Sequence, residues 1–500
     1  MESQLKRRYD KLVSDRDHYL IRARAASRLT IPSLVPEEGH NSTTEFETPW
    51  QSIGSRGTNN LASKIQLALF PPNSPFFRMK MSEQMLAELG AKKGDVEKDL
   101  ASYERIVMDD IEHTKTRSSL YQAGRHLIVA GNALLFDDPK TGKVKMYPLS
   151  RYVVQRDAQG EVYEMIATDP VRFAGLDEKT QAAVQAMHGA KKADEDMVLY
   201  TGIYRKPTEN RWIVWQEVAD VVLEDTRGEY KLDECPWIPL RFTSIDGENY
   251  GRGYIEELYG DLNTLDALTQ AIAESAAAGA VVKFLINPNG VTDIDDLVDT
   301  PNGGFAEGFD GDVTVLQVNK FNDLRVAIEQ TSKIEERLSL AFLLHSAVQR
   351  NAERVTAEEI RFMASELEDA LGGLYTVLSQ ELQLPLVRSR IARLTRGKKL
   401  PKLPKGIEPE IITGLEALGR GHELQRLRMF VADAAQTFGP EAVVEYINVS
   451  EHLKRSAAAL NLNTDGYVRE EDDVQARREQ QAEMEAQLAA ASRQPTEGAQ

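Results

Sequence analysis

Two long helical patterns enclosing a short lobe constrain this chain more than any other feature. From Gly253 onward, Ile255, Leu258, Leu262, Leu265, Leu268 and Ile272 recur at spacings of three and four, the stripe of an amphipathic helix. At ~1.5 Å per residue, the roughly 28 residues to Ala280 would span about 42 Å. The pattern ends in Ala276, Ala277, Ala278 and Gly279, nearly bare of side chains. Such an end suits helix propensity alone. It equally suits close packing against another helix, from this chain or from another copy. Leu324, Ile328, Ile334, Leu338 and Phe342 mark a second helix. Between the two, "KFLINPNG" and "DVTVLQV" read as strands, "PNGGFAEGFDG" as turns, and Asp293, Asp295, Asp296 and Asp299 as an acidic run. The economical geometry is an antiparallel helix pair with a small lobe at its tip.

Upstream, residues 1–29 read as an amphipathic helix on Leu5, Tyr9, Leu12, Arg16, Tyr19 and Ala23. A short helix follows over Thr58 to Phe70, stopped by Pro71 and Pro72, and a helical stretch runs over 95–130. Segments near 126–137, 143–156, 161–168, 197–206, 211–224 and 236–243 are rich in Val, Ile, Tyr and Trp, separated by "PKTG", "DAQG" and "KPTEN". They predict a mostly antiparallel sheet region, with a helical or mobile insertion at 176–195. The fold class is therefore α+β, mostly helical. "TRGKKLPKLPKGIEP" is a basic, proline-rich linker into a helical region that ends near 462, and 469–500 is a polar tail or a solvated helix.

Composition limits the chemistry. The chain has 500 residues and a formal charge of −18, whereas a protein that grips nucleic acid over a wide surface is usually basic. Acidity does not exclude a protein that lets DNA slide past. The single cysteine, Cys235, excludes an intramolecular disulfide and a cysteine-rich metal site. It reads as a small buried apolar residue. The opening residues are too polar for a signal peptide. The most apolar stretch, near 271–286, carries Glu274 and Lys283, so no membrane span is expected. No P-loop, complete dinucleotide fingerprint, zincin helix or nucleophile elbow occurs. Gly251-Arg252-Gly253 reads as a turn. The acidic run lacks the central glycine and distal glutamate of a calcium loop and reads as a solvated face. No metal, cofactor or catalytic residue is expected. A pair of carboxylates distant in sequence, as in a hydrolase, stays open as an alternative.

The stretch "HSAVQRNAERVTAEEIRFMASELEDALGGLYTVLSQELQLPLVRSRI", 345–391, holds no catalytic motif. Thr356 and Glu359 form a candidate capping box for a long helix on Ile360, Met363, Leu367, Leu371, Leu374, Leu378 and Leu382. Gly372 and Gly373 interrupt it, which favours a bend, and Pro385 bends or ends it again. Before it lie Arg350 and Arg354. Taken alone, these arginines pair with Glu353 or Glu358, or they face an anion.

"IPSLVPEEG", "ETPWQSIGSRGTNNLASKIQLALFPP", "FLLHSAVQRNAERVTAEEIRFMASELEDALGGLYTVLSQELQLPLVR" and "GLEALGRGHELQRL" resemble the portal, or head-to-tail connector, proteins of short-tailed phages of the autographivirus kind. The resemblance covers roughly residues 10 to 465. It implies the portal fold, assembled as a ring of twelve subunits around a DNA channel at one capsid vertex of the virion. The implied divisions are a wing at 1–250 with the long kinked helix 356–395, stem helices at 251–282 and 321–344, a clip at 283–320, a tunnel loop at 345–355, a crown at 396–465 and a tail or short barrel at 466–500. It further implies non-enzymatic passage of double-stranded DNA without sequence specificity. The implied partners are terminase and then tail adaptor proteins on the clip, major capsid and scaffolding proteins, and internal core proteins. Gln349, Arg350, Asn351 and Arg354 would face the channel, Asp293, Asp295, Asp296 and Asp299 the docking partners, Ala276 to Gly279 the neighbouring stem, and Gly372 and Gly373 would form a hinge. A tail-adaptor ring protein is the nearer alternative.

Overall fold

Each strand-rich segment of the sequence finds an antiparallel partner. The structure, a computed structural model, describes residues 4–71, 75–82, 93–206, 209–280, 283–305, 307–316, 321–344, 377–404, 406–412 and 428–439, with isolated positions 85, 446, 447, 449, 452, 453, 480 and 484. In chain order its elements are α1 (Gln4–Arg28), α2 (Ile53–Leu69), β1 (Phe77–Met81), α3 (Lys93–His113), α4 (Thr116–Ala130), β2 (Asn132–Asp137), β3 (Val144–Tyr147), β4 (Tyr152–Arg156), β5 (Val162–Arg172), α5 (Glu178–His188), β6 (Asp196–Lys206), β7 (Arg211–Val218), β8 (Val221–Lys231), β9 (Trp237–Arg241), α6 (Tyr254–Ala280), β10 (Lys283–Ile286), α7 (Ile294–Asp299), β11 (Val313–Leu316), α8 (Phe321–Ala341), α9 (Leu384–Arg396) and β12 (Ile407–Ile411). A further helix spans 428–438. These residues fall into two compact units, the first drawn from Met1–Phe70, Asp109–Thr356 and Glu366–Lys402, the second from Pro71–Met108 and Leu403–Gln500.

In the first unit, β4 to β8 form an antiparallel meander in sequence order, and β3-β2-β9 form a second sheet. The two share one core. Tyr152, Met165, Ile203 and Val214 of the meander cluster with Leu134, Tyr147 and Trp237 of the smaller sheet. Trp237 stacks on Phe136 with centroids 4.3 Å apart. Cys235 lies in this core, where burial pushes its thiol up to about 12, so it is a packing residue. Helix α1 covers the other face of the meander through Leu5 and Leu12 against Val153 and Ile166. The contact needs Gly202, because a Cβ there would come within 2.5 Å of Leu5. Polar clamps fix the helix start. The Leu5 amide donates to Glu217 at 3.0 Å, and Arg8 donates to both oxygens of Glu164 at 2.7 and 2.6 Å. The insertion at 176–195 is α5, whose Val184 closes the far end of the core with Phe173 and Val218.

Helix α9 is held by charge. Arg390, fully buried, reaches Asp137 at 3.0 Å and Asp110 at 3.1 Å and donates to Thr114 and Thr116. Arg393 also pairs with Asp110, and Ser389 donates to Asp137 at 2.7 Å. Burial pushes the Asp137 carboxyl up and the Arg390 guanidinium down, each against the pull of the other's charge. Removing either partner would leave the other charge buried and unpaired, so the cluster holds only while complete. A π turn over Ser379–Gln383 precedes α9, and Pro385 opens it. The helical backbone runs without a break from 377 through this π segment into α9, so the proline does not end the helix; the wider π turn just before it accommodates the missing N–H and the ring.

In the second unit, β1 pairs antiparallel with β12, from Phe77 opposite Ile411 to Met81 opposite Ile407. Arg78 and Lys80 flank Glu410 at 3.0 and 2.7 Å. The Met79 amide donates to Glu104 at 2.7 Å.

The structure corrects several boundaries. The 126–137 segment is helix as far as Ala130, then Gly131 at φ 71, and strand from Asn132. A continuous apolar run cannot distinguish the two states by period. The 211–224 segment is two strands, turned at Ala219 and Asp220 with φ of 43 and 63. That left-handed pair lacks the Asn-Gly signature of such hairpins. Lys115, at φ 55, divides the 95–130 helix, and α2 begins at Ile53, before Thr58. Neither β1 nor β12 was expected, and Ile407-Glu408-Pro409 belongs to a strand and not to a linker.

Replacing Arg390 with methionine leaves Asp137 buried without its cation. The expected loss is about 3–5 kcal/mol, measured as a lowered urea midpoint. A midpoint within error of wild type would show that the cluster does not hold α9.

Candidate functional site: the root of the helix pair

The region that the sequence singles out is built from the junction of sheet and helix upward. The amide of Asn132 donates to the carbonyls of Ala130 and Gly251 at 2.9 and 2.7 Å and accepts from the Gly251 amide at 2.7 Å. A Cβ on Gly253 would lie 2.6 Å from the Val129 carbonyl, and one on Gly131 would strike the Arg252 backbone. The Gly-Arg-Gly turn is therefore a close backbone crossing, and α6 starts from it.

Helix α8 returns alongside α6. Tyr254, at the start of α6, donates to the Ala341 carbonyl at the end of α8 at 3.2 Å, and Arg337 pairs with Asp261 at 2.8 Å. The pair is antiparallel, as the sequence predicts. Between them β10 pairs antiparallel with β11, Lys283 opposite Leu316 and Ile286 opposite Val313. The lobe sits at the end of the pair remote from the sheets.

Helix α2 grips the end of α8. The Phe342 ring lies on Gly57, where a Cβ would collide with it. Asn60 donates to the carbonyls of Phe342 and Leu343 at 2.9 and 3.1 Å, and the buried Lys64 amine donates to the Leu343 carbonyl at 2.9 Å. Leu343 itself has φ 55. A cation on the last carbonyls of a helix is favourable, and the grip fixes the point where the chain leaves α8. Sequence reasoning missed Gly57, Asn60 and Lys64. They lie inside "SIGSRGTNNLASK", where the Gly54 and Gly57 spacing was the available signal.

The expected site residues divide three ways. Ala276, Ala277, Ala278 and Gly279 are exposed on the last turns of α6, and nothing lies within 4 Å of a Cβ built on Gly279. Asp293, Asp295, Asp296 and Asp299 gather on the six-residue α7, all exposed. Asp293 caps it by accepting from the Asp295 amide at 3.0 Å. Gln349, Arg350, Asn351, Arg354, Gly372 and Gly373 lie outside the described residues. The lobe's own organiser is Asp312, which accepts from the Val291 and Thr292 amides and from the Thr292 hydroxyl at 2.9–3.3 Å.

Many apolar side chains of this region are bare. Phe284, Val291, Val298, Phe305 and Phe309 in the lobe, and Val326, Ile328 and Leu340 on α8, are each more than half exposed. A patch this rich marks an interaction surface. Among the described residues, no group of three or more His, Cys, Asp and Glu is placed to hold a metal, and no helix is long and apolar enough to cross a membrane.

Comparison with known proteins decides the family. The model of the "Bacteriophage head to tail connecting protein" family matches residues 2–468. The chain belongs to the bacteriophage head-to-tail connecting proteins. Portal proteins of Escherichia phage T7 and Enterobacteria phage T3 are each 43% identical to this connector chain, over 95% of it and 90% of their own length. The resemblance to portals of short-tailed phages therefore holds over nearly the whole connector. A solved structure described as the neck of an empty GTA particle overlaps 83% of the chain and 90% of its own, at TM-score 0.40 and 12% identity, too loosely to carry an argument.

The grip on α8 yields a paired test. Gly57→Val forces the Phe342 ring away and is expected to destabilise the protein by about 1–3 kcal/mol. Gly260→Ala, in mid-helix with nothing within 4 Å, is expected to be neutral or stabilising by up to about 1 kcal/mol. The urea midpoint should fall for Gly57→Val and stay level or rise for Gly260→Ala.

Proposed function

We propose that copies of this connector chain form a closed ring of twelve around a channel for double-stranded DNA at one capsid vertex, and that its role there is structural. The observation that carries the reading is the α6–α8 pair. It is a long antiparallel arm on a rigid root, with its alanine end, its α8 apolar residues and its lobe uncovered. A lone protomer would leave that surface in water, and symmetric copies bury it. In this reading 1–250 and 356–395 are the wing, α6 and α8 the stem, 283–320 the clip, and 396–465 the crown. The clip receives terminase, which would supply ATP hydrolysis, and later tail adaptor proteins. The ring nucleates procapsid assembly with the capsid and scaffolding proteins in the host cytoplasm. Internal core proteins meet the crown.

The channel loop would be 345–355, which continues from the gripped end of α8. Twelve copies of Arg350 and Arg354 would form a narrow positive collar in an otherwise acidic tube. Contact with phosphate is then local, and the acidic walls keep DNA from adhering.

Two experiments test this reading. Ala277→Leu overpacks the stem face and is expected to weaken the ring by roughly 1–3 kcal/mol per site. Light scattering that finds rings of unchanged stability would remove the packing role. Changing Arg350 and Arg354 together to glutamine is expected to leave ring yield and thermal stability unchanged while lowering the DNA retained in particles before tail attachment. If the arginines serve only local pairs with Glu353 or Glu358, worth about 0–1 kcal/mol, genome content will equal wild type.

A further inference from the structure

Among the described residues, a group of exposed basic side chains lies at the end of α9, away from the helix pair. Helix α9 ends at Arg396, and the next residues fold back on it. The Lys399 and Leu400 amides donate to the Leu394 carbonyl at 2.9 and 3.3 Å, and the Leu400 side chain is buried. This anchor leaves Lys398, Lys399 and Lys402 exposed. Lys398 takes the left-handed conformation at φ 55, although Gly397 precedes it. That conformation is unfavourable for a residue with a side chain.

The β2–β3 turn joins the same surface. A Cβ on Gly142 would lie 2.5 Å from the Arg393 guanidinium, so Lys140 and Lys143, both exposed, stand beside the last turns of α9. Arg388 and Arg396 complete the set. The carboxylates facing it are Asp233, 3.4 Å from Arg388, Glu234, 3.6 Å from Arg396, and Asp138, which accepts from the Lys140 amide at 2.9 Å. Beneath, Arg390 and Arg393 are matched by Asp110 and Asp137. Among the described residues the surface is strongly positive on a chain of −18.

The composition of the patch selects its partner. None of the large apolar side chains exposed elsewhere among the described residues lies on the β2–β3 turn or on 384–404. A protein partner needs an apolar or aromatic anchor at the centre of its interface, and lysine is depleted there. Mobile point charges without an anchor suit a polyanion whose phosphates repeat. We propose that this patch is a second DNA-binding surface on the connector, separate from the channel loop, which holds the backbone of duplex DNA without reading its sequence.

Covalently closed circular duplex DNA tests the proposal, because it cannot thread a closed ring. Wild-type protein is expected to bind it at low salt, with affinity that falls steeply as salt rises. The double variant K398E/K399E is expected to bind roughly tenfold or more weakly, with a log–log salt slope shallower by roughly two. K140E/K143E, on a different element, is expected to weaken binding in the same way. Light scattering should find the mass of both variants unchanged. Failure of wild type to bind circular DNA, or equal binding by both variants, overturns the proposal. If the variants instead lose assembly or a virion protein while still binding circular DNA, the patch is a protein contact and the proposal is likewise overturned. Retention of linear DNA alone would sink the patch while leaving the channel reading intact.

Discussion

The first unit turns on a single crossing. Gly131, Gly251 and Gly253 let two backbones approach more closely than any side chain would allow, and the Asn132 side-chain amide bonds across the gap twice, to the carbonyl and the amide of Gly251. The small sheet, the end of α4 and the start of α6 are thereby fixed to one another. The direction of α6 follows, then that of α8 through Tyr254 and Ala341, and then the place of the lobe. A long arm magnifies small angular errors at its base, so a base made of backbone contacts suits it better than one made of adjustable side chains.

The polar architecture divides by depth. Several charges in the first unit are paired in the interior, with Arg390 and Arg393 against Asp110 and Asp137, and the half-buried Arg8 against the buried Glu164. These pairs specify where α9 and α1 sit, and they are stable only when complete. Exposed charges are left in excess. Among the described residues, exposed basic side chains gather at the end of α9, on a chain whose formal charge is −18. Salt therefore acts on the surface and hardly on the interior.

Much of this was legible in the sequence. The helical stripes of α1, α6 and α8 carry strong periodicity, and their pairing followed from the short lobe between them. Cys235 in the core and the turn at Gly251 were read correctly in kind. What escaped depended on partners distant in sequence. β1 and β12 are five residues each and define one another only by pairing across more than three hundred positions. The Ala219-Asp220 turn carries no glycine. Gly57, Asn60 and Lys64 gain meaning only once the end of α8 lies against them. The expected channel arginines and hinge glycines fall outside the described residues, and their roles rest on resemblance.

The two-stranded lobe has a thermodynamic consequence. A ribbon of two strands is marginal in water, and here Phe284 and Leu285, adjacent residues on opposite faces of β10, are each more than half exposed. Among the described residues, neither face of the ribbon at these two positions is covered. Whatever covers those faces adds its binding energy to the folding of the lobe. In the ring proposed above, order in the lobe would therefore rise with protein concentration. Its amide protons would report that occupancy directly, exchanging quickly when the lobe stands alone and slowly once it has company.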